Sequence, residues 1–563
     1  MKTARAILEY LKANGTTHIF GIPAGSVNAI FDELYEIKDI TPVVTKHEGA
    51  AAYMAASYAK YAGGLSVCIG CSGPGATNLV TGAASAMREQ LPILFITGAV
   101  PVSTMGLNAS QELDVASIFL PVTKYSVIVK EASSVLSELQ KACQLAISGV
   151  PGPVHIALPI DVQHTAISMT PEEEQSLMTQ TWFKNPILPN TLYIDQVVDR
   201  LLADRNGFLF VGQGIRGAVT ELITLAELLQ WPIVVTPQAK GYIPDTHPLL
   251  VGIFGFAGHK QASDFIAQAR GTETMLIVGS SLGETATSNY NATLTQHRFV
   301  IQLDRDETVF NKKYVVDIAV TGDITLSLRQ IIERLENRLS ISEHQQLSST
   351  SGSVVREVAI SLESDHEEEP FFTKQVLHRL QQQLPHHTRF TIDIGEFMSY
   401  VIHHMRTLSK DSFDINVHFG AMGSGIGAAI GSKLAEPDRP VVCITGDGCF
   451  FMHGMEVLTA KEYNLNILFV VMNNARLGMV YHGHALQFKR THTVFEQEET
   501  NIAKMAEAMG IPSKRISSFA EWKPDIINQL LSEGGPAVLE IALVDHNVPP
   551  MGDRVKFLSS FGK

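Results

Sequence analysis

Residues 440–474 read PVVCITGDGCFFMHGMEVLTAKEYNLNILFVVMNN. The apolar, β-branched run 440–445 (PVVCIT) predicts a buried strand, 452–463 (MHGMEVLTAKEY) a helix, and 466–472 (NILFVVM) a second buried strand. In such a βαβ unit both polar clusters fall at the carboxyl ends of strands. Gly446-Asp447-Gly448 ends the first and Asn473-Asn474 the second, with 24 residues between Gly448 and Asn473. Open α/β sheets bind ligands at that edge. A carboxylate and an amide oxygen there suit a hard divalent cation, which in turn grips phosphate oxygens. The Gly-Asp-Gly alone reads equally as a turn; the asparagine pair at this spacing favours the cation.

Outward from this unit, the 563 residues exceed one core and predict about three domains. A hydrophobic content of 45% with 18% charged residues describes a globular chain rather than a disordered one. A net charge of −14 argues against nucleic acid or an anionic membrane as the main partner. The amphipathic start MKTARAILEYLKANG is unlike a secretory signal, and no apolar run reaches the ~20 residues of a membrane span, so the expected location is cytoplasmic. The fold class predicted is α/β, as three Rossmann-like parallel-sheet domains: 1–165, 189–335 and 370–545, with a tail at 546–563. The first block alternates strands (41–45, 65–70, 92–98) with helices (48–62, 76–88). The second has strands at 209–212, 232–236, 274–279 and 299–304. The polar stretches 166–188 and 336–369 read as linkers.

Three further stretches carry chemistry. Glu48, in TKHEGAAAYMAASYAKYAGG (45–64), opens a helix, where an acid is favoured by the dipole whatever its role. CSGPGATN (71–78) joins a strand to a helix, and its glycines permit close backbone approach. FGAMGSGIGAAIG (419–431) is a small-residue helix start with one large side chain, Met422. Cys68 and Cys71 lie in an apolar strand with no second pair and read as small buried residues.

Taken together, these motifs resemble the thiamine diphosphate enzymes of the acetohydroxyacid (acetolactate) synthase and pyruvate oxidase group, over nearly the whole chain. The resemblance implies pyrimidine-binding, central and diphosphate-binding domains in that order. It implies Mg2+ held by Asp447, Asn474 and the carbonyl of Arg476. It implies that Glu48 does acid–base work on the cofactor's aminopyrimidine, with Gln111 of ASQELD (109–114) facing the reacting carbon. Met422 would be the wedge under the bent cofactor, and the backbone of Gly420 and Met422 would bind its pyrimidine. Gly25, Pro74 and Asn78 in the first block, and Gly395, Glu396, Gly446, Gly448, Cys449 and Met479 in the third, complete the implied cofactor set. In this family the two halves of the site come from different subunits, which implies a homodimer or homotetramer.

The chain departs from the synthases at several positions. Their Gly-Gln-His near the diphosphate is Gly395-Glu396-Phe397 here, and an acid beside a diphosphate is unfavourable unless it points away or reaches the metal shell. Their L-G-M-V-x-Q-W-Q becomes LGMVYHGH (477–484), with Gly483 in place of tryptophan and with His482 and His484 present; Ser281 stands where they have an acceptor-binding arginine. Loss of an aromatic contact worth ~1.5–3 kcal/mol changes acceptor selectivity roughly 10–100-fold. The expected activity is a carboligase that decarboxylates a 2-oxoacid, with pyruvate the first candidate, and passes the acyl unit to a carbonyl acceptor. A simple decarboxylase and a flavin-dependent pyruvate oxidase are the alternatives. GQGIRGA (212–218) and TPQAKGYIPD (236–245) resemble a flavin-binding central domain and leave FAD open, with Arg216 a candidate for its pyrophosphate.

Overall fold

The computed structural model describes residues 1–179, 181–204, 206–268, 273–339, 370–543, 545–551 and 559. It contains three six-stranded, all-parallel sheets. The first is built from β1 (His18–Gly21), β2 (Thr41–Val44), β3 (Ser66–Gly70), β4 (Ile93–Ala99), β5 (Ser126–Ile128) and β6 (Val154–Pro159), in the order β2-β1-β3-β4-β6-β5. The second comprises β7 (Gly207–Val211), β8 (Ile233–Val235), β9 (Leu250–Ile253), β10 (Glu273–Val278), β11 (Arg298–Asp304) and β12 (Ile318–Thr321), ordered β12-β11-β10-β7-β8-β9. The third comprises β13 (Arg389–Ile392), β14 (Phe413–Ile415), β15 (Val441–Gly446), β16 (Ile467–Asn473), β17 (Ser513–Ile516) and β18 (Ala537–Ala542), ordered β14-β13-β15-β16-β18-β17.

The first and third sheets therefore share one topology. The second has the doubly wound order of dinucleotide-binding folds. Each sheet has a winding reversal near its middle: between β1 and β3, between β7 and β10, and between β13 and β15. A crevice opens at the carboxyl ends of the strands on either side of such a reversal. The inner strands β3, β4, β7, β10, β15 and β16 are fully buried and rich in Val, Ile, Leu and Phe because helices cover both faces.

The blocks are fused by apolar cores. One core runs from the second sheet into the third, and another from the first sheet into the third. The tightest junction is between the helices Glu48–Ala62 and Ser424–Ala435. Ala50, Ala51, Ala52 and Ala55 are fully buried there, and a Cβ on Gly431 would lie 2.0 Å from the Met54 carbonyl oxygen. At the far end of this seam Lys60 is buried, with its Nζ 2.5 Å from Asp414 Oδ1 and 3.7 Å from Glu89. Its carboxylate neighbours raise its pKa and outweigh the opposing effect of burial.

The predicted linker 166–188 contains a helix, Pro171–Thr179. The proline starts it, and Glu172, Glu173 and Glu174 fill its first turn, where the dipole favours acids. The second predicted linker lies outside the described residues from 340 onward, as does nearly all of the predicted tail beyond 551. Among the described residues no helix is long and apolar enough to cross a membrane.

Candidate active site

At the β13/β15 reversal the chain places Asp393, the turn after Gly446, and the loop after Asn473 side by side. Asp393 is fully buried. Its Oδ1 accepts the N–H groups of Ile394 and Gly423, both at 2.8 Å, and its Oδ2 accepts the Thr445 hydroxyl at 3.0 Å. It thus ties the start of the Ser424–Ala435 helix to the ends of both strands. Burial raises its pKa, and these hydrogen bonds oppose the rise.

The predicted helix after the first strand begins at Asp447 itself and runs to His453, then tightens through a 3-10 turn, Gly454–Glu456. The Asp447 carboxylate therefore sits at a helix N-terminus, and Gly448 N–H donates to its Oδ1 at 2.9 Å. Burial pushes its pKa up to about 6, partly offset by the N–H groups of Gly448, Ala475 and Arg476. The 474–476 loop thus lies against the Asp447 carboxylate. Asn474 accepts the Arg476 N–H at 3.2 Å. An aspartate carboxylate, an asparagine amide oxygen and the Arg476 carbonyl form a set of hard oxygen donors, which suits a divalent cation of the magnesium type. Met422 lies beside this turn, its Cε 3.2 Å from where a Cβ on Gly448 would stand, so a larger residue at 448 would crowd it. Cys449 is buried and its Sγ donates to the Ile394 carbonyl at 3.0 Å.

Glu396 opens a helix, Glu396–His404, directly after Gly395. It does not point into open solvent: its carboxylate is buried against Asn474, Arg476 and His482. Met479 lies one turn away in the helix Gly478–Phe488 and packs on the core shared with the second sheet. His484 bonds the Arg490 carbonyl at 2.8 Å, separate from this cluster. Gly420 carries a positive φ of 71° with open space around it.

The β1/β3 reversal gathers the first-block residues. Glu48 is the first residue of its helix, capped by His47, whose Nδ1 accepts the Gly49 N–H at 3.0 Å. Its carboxylate accepts Asn78 Nδ2 at 3.0 Å. It also faces the first turn of the Pro74–Arg88 helix, where a Cβ on Gly75 would lie 2.9 Å from Glu48 Oε1. Two helix N-termini thus meet one carboxylate. Ser72 N–H donates to Ser26 Oγ at 2.9 Å, beside Gly25, and Ser72 Oγ donates to Gln111 Oε1 at 3.0 Å. Gln111 adopts a left-handed φ of 65° and is exposed. Cys68 is buried in β3, and Cys71 Sγ donates to the Ser72 carbonyl.

Among the described residues no hydrogen bond or ion pair joins Glu48 to Asp447, Asn474 or Glu396 within the chain. One tie between the first and third blocks comes from a residue with no signal in the sequence. Glu456 Oε1 accepts the N–H groups of Lys46 and His47, both at 2.9 Å, and so fixes the turn before Glu48 from the third block. Asp393 and Ser26 are likewise residues that sequence reading missed.

The β7/β10 reversal holds a cleft of about 280 Å3. Gly212, Gly214, Gly279 and Asp304–Arg305 line it, together with Arg88 from the first block and His418 from the third. A Cβ on Gly212 would lie 2.2 Å from the Gly279 carbonyl oxygen, so the two loops cross backbone to backbone. Asp304 is pushed up to about 6 by burial. Arg216 does not line this cleft; its charge instead reaches the buried Glu89, which burial raises, and Asp414, which Lys60 chiefly holds low.

Residues 1–118, 194–331 and 393–541 match the models of the thiamine pyrophosphate enzyme N-terminal TPP-binding, central and C-terminal TPP-binding domains. The chain is 32% identical over 561 residues to a probable acetolactate synthase large subunit of Methanocaldococcus jannaschii, covering 98% of this chain and 93% of the relative. It is 30% identical to an acetolactate synthase of Arthrospira platensis, covering 97% and 95%. It is 29% identical to the acetolactate synthase isozyme 2 large subunit of Escherichia coli K12, covering 98% and 97%. Motifs, three-sheet architecture and end-to-end similarity agree, and the chain belongs to the thiamine diphosphate-dependent enzymes of the acetolactate synthase type.

Proposed function

We propose that this chain is a Mg2+-dependent carboligase that takes pyruvate as donor, releases CO2 and passes the remaining two-carbon acyl unit to a carbonyl acceptor. The observation that carries this is the meeting of Asp447, the 474–476 loop and Met422 at one winding reversal. Asp447, Asn474 and the Arg476 carbonyl would hold the cation and, through it, the diphosphate; the N–H groups after Gly446 and the Gly420–Met422 backbone would receive the rest. Thiamine diphosphate, when bound, supplies the electron sink that lets a 2-oxoacid lose CO2. Glu48 would exchange a proton with the aminopyrimidine, and Asn78, which donates to its Oε2, holds the carboxylate in place. Gln111, tethered through Ser72, faces the reacting carbon.

The working site is assembled from two copies of the chain, one supplying Glu48 and the other Asp447. The apolar surface around both clusters supports this. Leu107, four residues before Gln111, is 70% exposed, and Phe451 and Met452, in the helix that begins at Asp447, are 46% and 57% exposed. Such side chains are expected to be covered by a partner.

The central cleft is where FAD would sit. Its crossing glycine loops, Arg305, Arg88 and Lys312 suit a pyrophosphate, although about 280 Å3 is at the small end of ligand pockets. Flavin absorbance in the purified protein, released on denaturation, tests this; a colourless protein that ignores added FAD refutes it.

Acceptor recognition is where the sequence departs from the synthase pattern. Among the described residues only the Met551 Cε lies near the missing side chain of Gly483, at 3.8 Å, and Ser281 lines the central cleft. NMR of the products from labelled pyruvate with thiamine diphosphate and Mg2+ tests the proposal. Acetolactate supports a carboligase that uses a second pyruvate. Acetaldehyde alone indicates a decarboxylase, acetate an oxidase, and unconsumed pyruvate refutes pyruvate as donor.

A further inference from the structure

We infer that Glu396 is a positioning residue for the cation site, and that it acts by fixing which way round the Asn474 amide sits. This rests on the cation reading above. An asparagine amide is nearly symmetrical in shape, yet only its oxygen can ligate a cation. Asn474 Nδ2 donates to Glu396 Oε1. The amide oxygen is then turned the other way, where it takes the Arg476 N–H and keeps a second lone pair for the cation. A glutamine, as the related synthases have at this position, offers either a donor or an acceptor. An ionised carboxylate offers only acceptors, so it permits one amide orientation.

A buried carboxylate is costly unless its charge is met. Here Arg476, His482 and a helix start lie around it, although among the described residues Oε2 accepts no hydrogen bond. Arg476 Nη2 lies 3.5 Å from Oε1, and His482 Nε2 lies 3.3 Å from Oε2. The carboxylate also abuts the start of the Gly478–Phe488 helix, where a Cβ on Gly478 would stand 2.1 Å from Oε2. Arg476 is itself held by the Asp545 carbonyl and lies 3.2 Å from His482. Two departures from the synthase pattern, glutamine to glutamate at 396 and glutamine to histidine at 482, therefore face each other.

The test uses the full-length protein with saturating thiamine diphosphate and Mn2+ as the probe, its affinity read from the free-ion EPR signal. Removing an orienting partner of a metal ligand typically weakens metal binding 10–100-fold. Glu396→Ala is expected to weaken Mn2+ by about that factor. Glu396→Gln, which still offers an oxygen to Asn474, should weaken it less than about tenfold. Glu396→Met fills the same space without an acceptor and replaces the alanine variant if that does not fold. The deciding measurement is a cycle with Asn474→Asp. Both oxygens of an aspartate ligate equally, so orientation ceases to matter, and Glu396→Ala should cost nothing further in that background. Unchanged Mn2+ affinity in Glu396→Ala, equal losses in the Ala and Gln variants, or an undiminished loss in the Asn474→Asp background would each overturn the proposal. A wild-type protein that binds no Mn2+ would instead remove the cation reading itself.

Discussion

Gly431 tests how the first and third blocks are joined. It lies inside the Ser424–Ala435 helix, where the Glu48–Ala62 helix crosses backbone to backbone. In Gly431→Ala the added Cβ would lie 2.0 Å from the Met54 carbonyl oxygen, at least 1.4 Å short of the 3.4 Å at which ordinary contact begins. The obstacle is backbone, so no rotamer change relieves it, and the helices must part. Overpacking of this kind costs about 1–3 kcal/mol, and a backbone clash belongs at the upper end. Alanine regains about 1 kcal/mol of helix propensity over glycine. The net expectation is a loss of about 2 kcal/mol. In a domain of this size that lowers the unfolding midpoint by about 4–8 °C. Gly483→Ala is the control. It lies in another helix, Gly478–Phe488, and among the described residues its Cβ would meet only the Met551 Cε at 3.8 Å. It gains the same propensity without the clash, so its midpoint should rise by about 2–4 °C. Scanning calorimetry at one fixed scan rate on both variants is the assay. A Gly431→Ala midpoint at or above wild type would show that the two helices are not in backbone contact.

Glu48→Gln should leave thiamine diphosphate affinity unchanged while slowing hydrogen exchange at the cofactor's thiazolium C2 by about 10^2–10^4-fold. Wild-type exchange would rule out the role given to Glu48. Met452→Glu places a charge in the exposed apolar surface and should yield a monomer by light scattering that has lost activity; a fully active monomer refutes the shared site. His155 is fully buried, stacked on Phe119 and bonded to Thr97 and Ser126, and burial lowers its pKa from 6.5 to about 3. The neutral form is the folded one, so its contribution is complete above pH 6.5 and is lost as pH falls toward 3. The expected slope is about 1.4 kcal/mol per pH unit. Melting curves of wild type and His155→Gln should therefore converge or cross on acidification from 6.5, and parallel curves would refute the assignment.

What could be read from the chain was local. The β15–helix–β16 unit, Glu48 at a helix start and the turn at 71–78 each declare themselves within some thirty residues, because hydrophobic period and turn chemistry act between near neighbours. The Glu-rich run at 172–174 misled, since the same residues suit a linker and the first turn of a helix. The shared strand order of the first and third sheets could not be read, because pairing between distant strands leaves no local pattern. Nor could the role of Glu456, which binds the turn before Glu48 from 410 residues away. Glu396 is the clearest case. By sequence it was an unfavourable acid beside a diphosphate; in three dimensions Asn474, Arg476 and His482 surround it. The sequence by itself determined the class of chemistry, because the oxygen donors and glycine turns that chemistry needs are set by residue type. Only the tertiary structure decided how each buried charge is met, because burial makes a charge depend on partners that the chain supplies from far away.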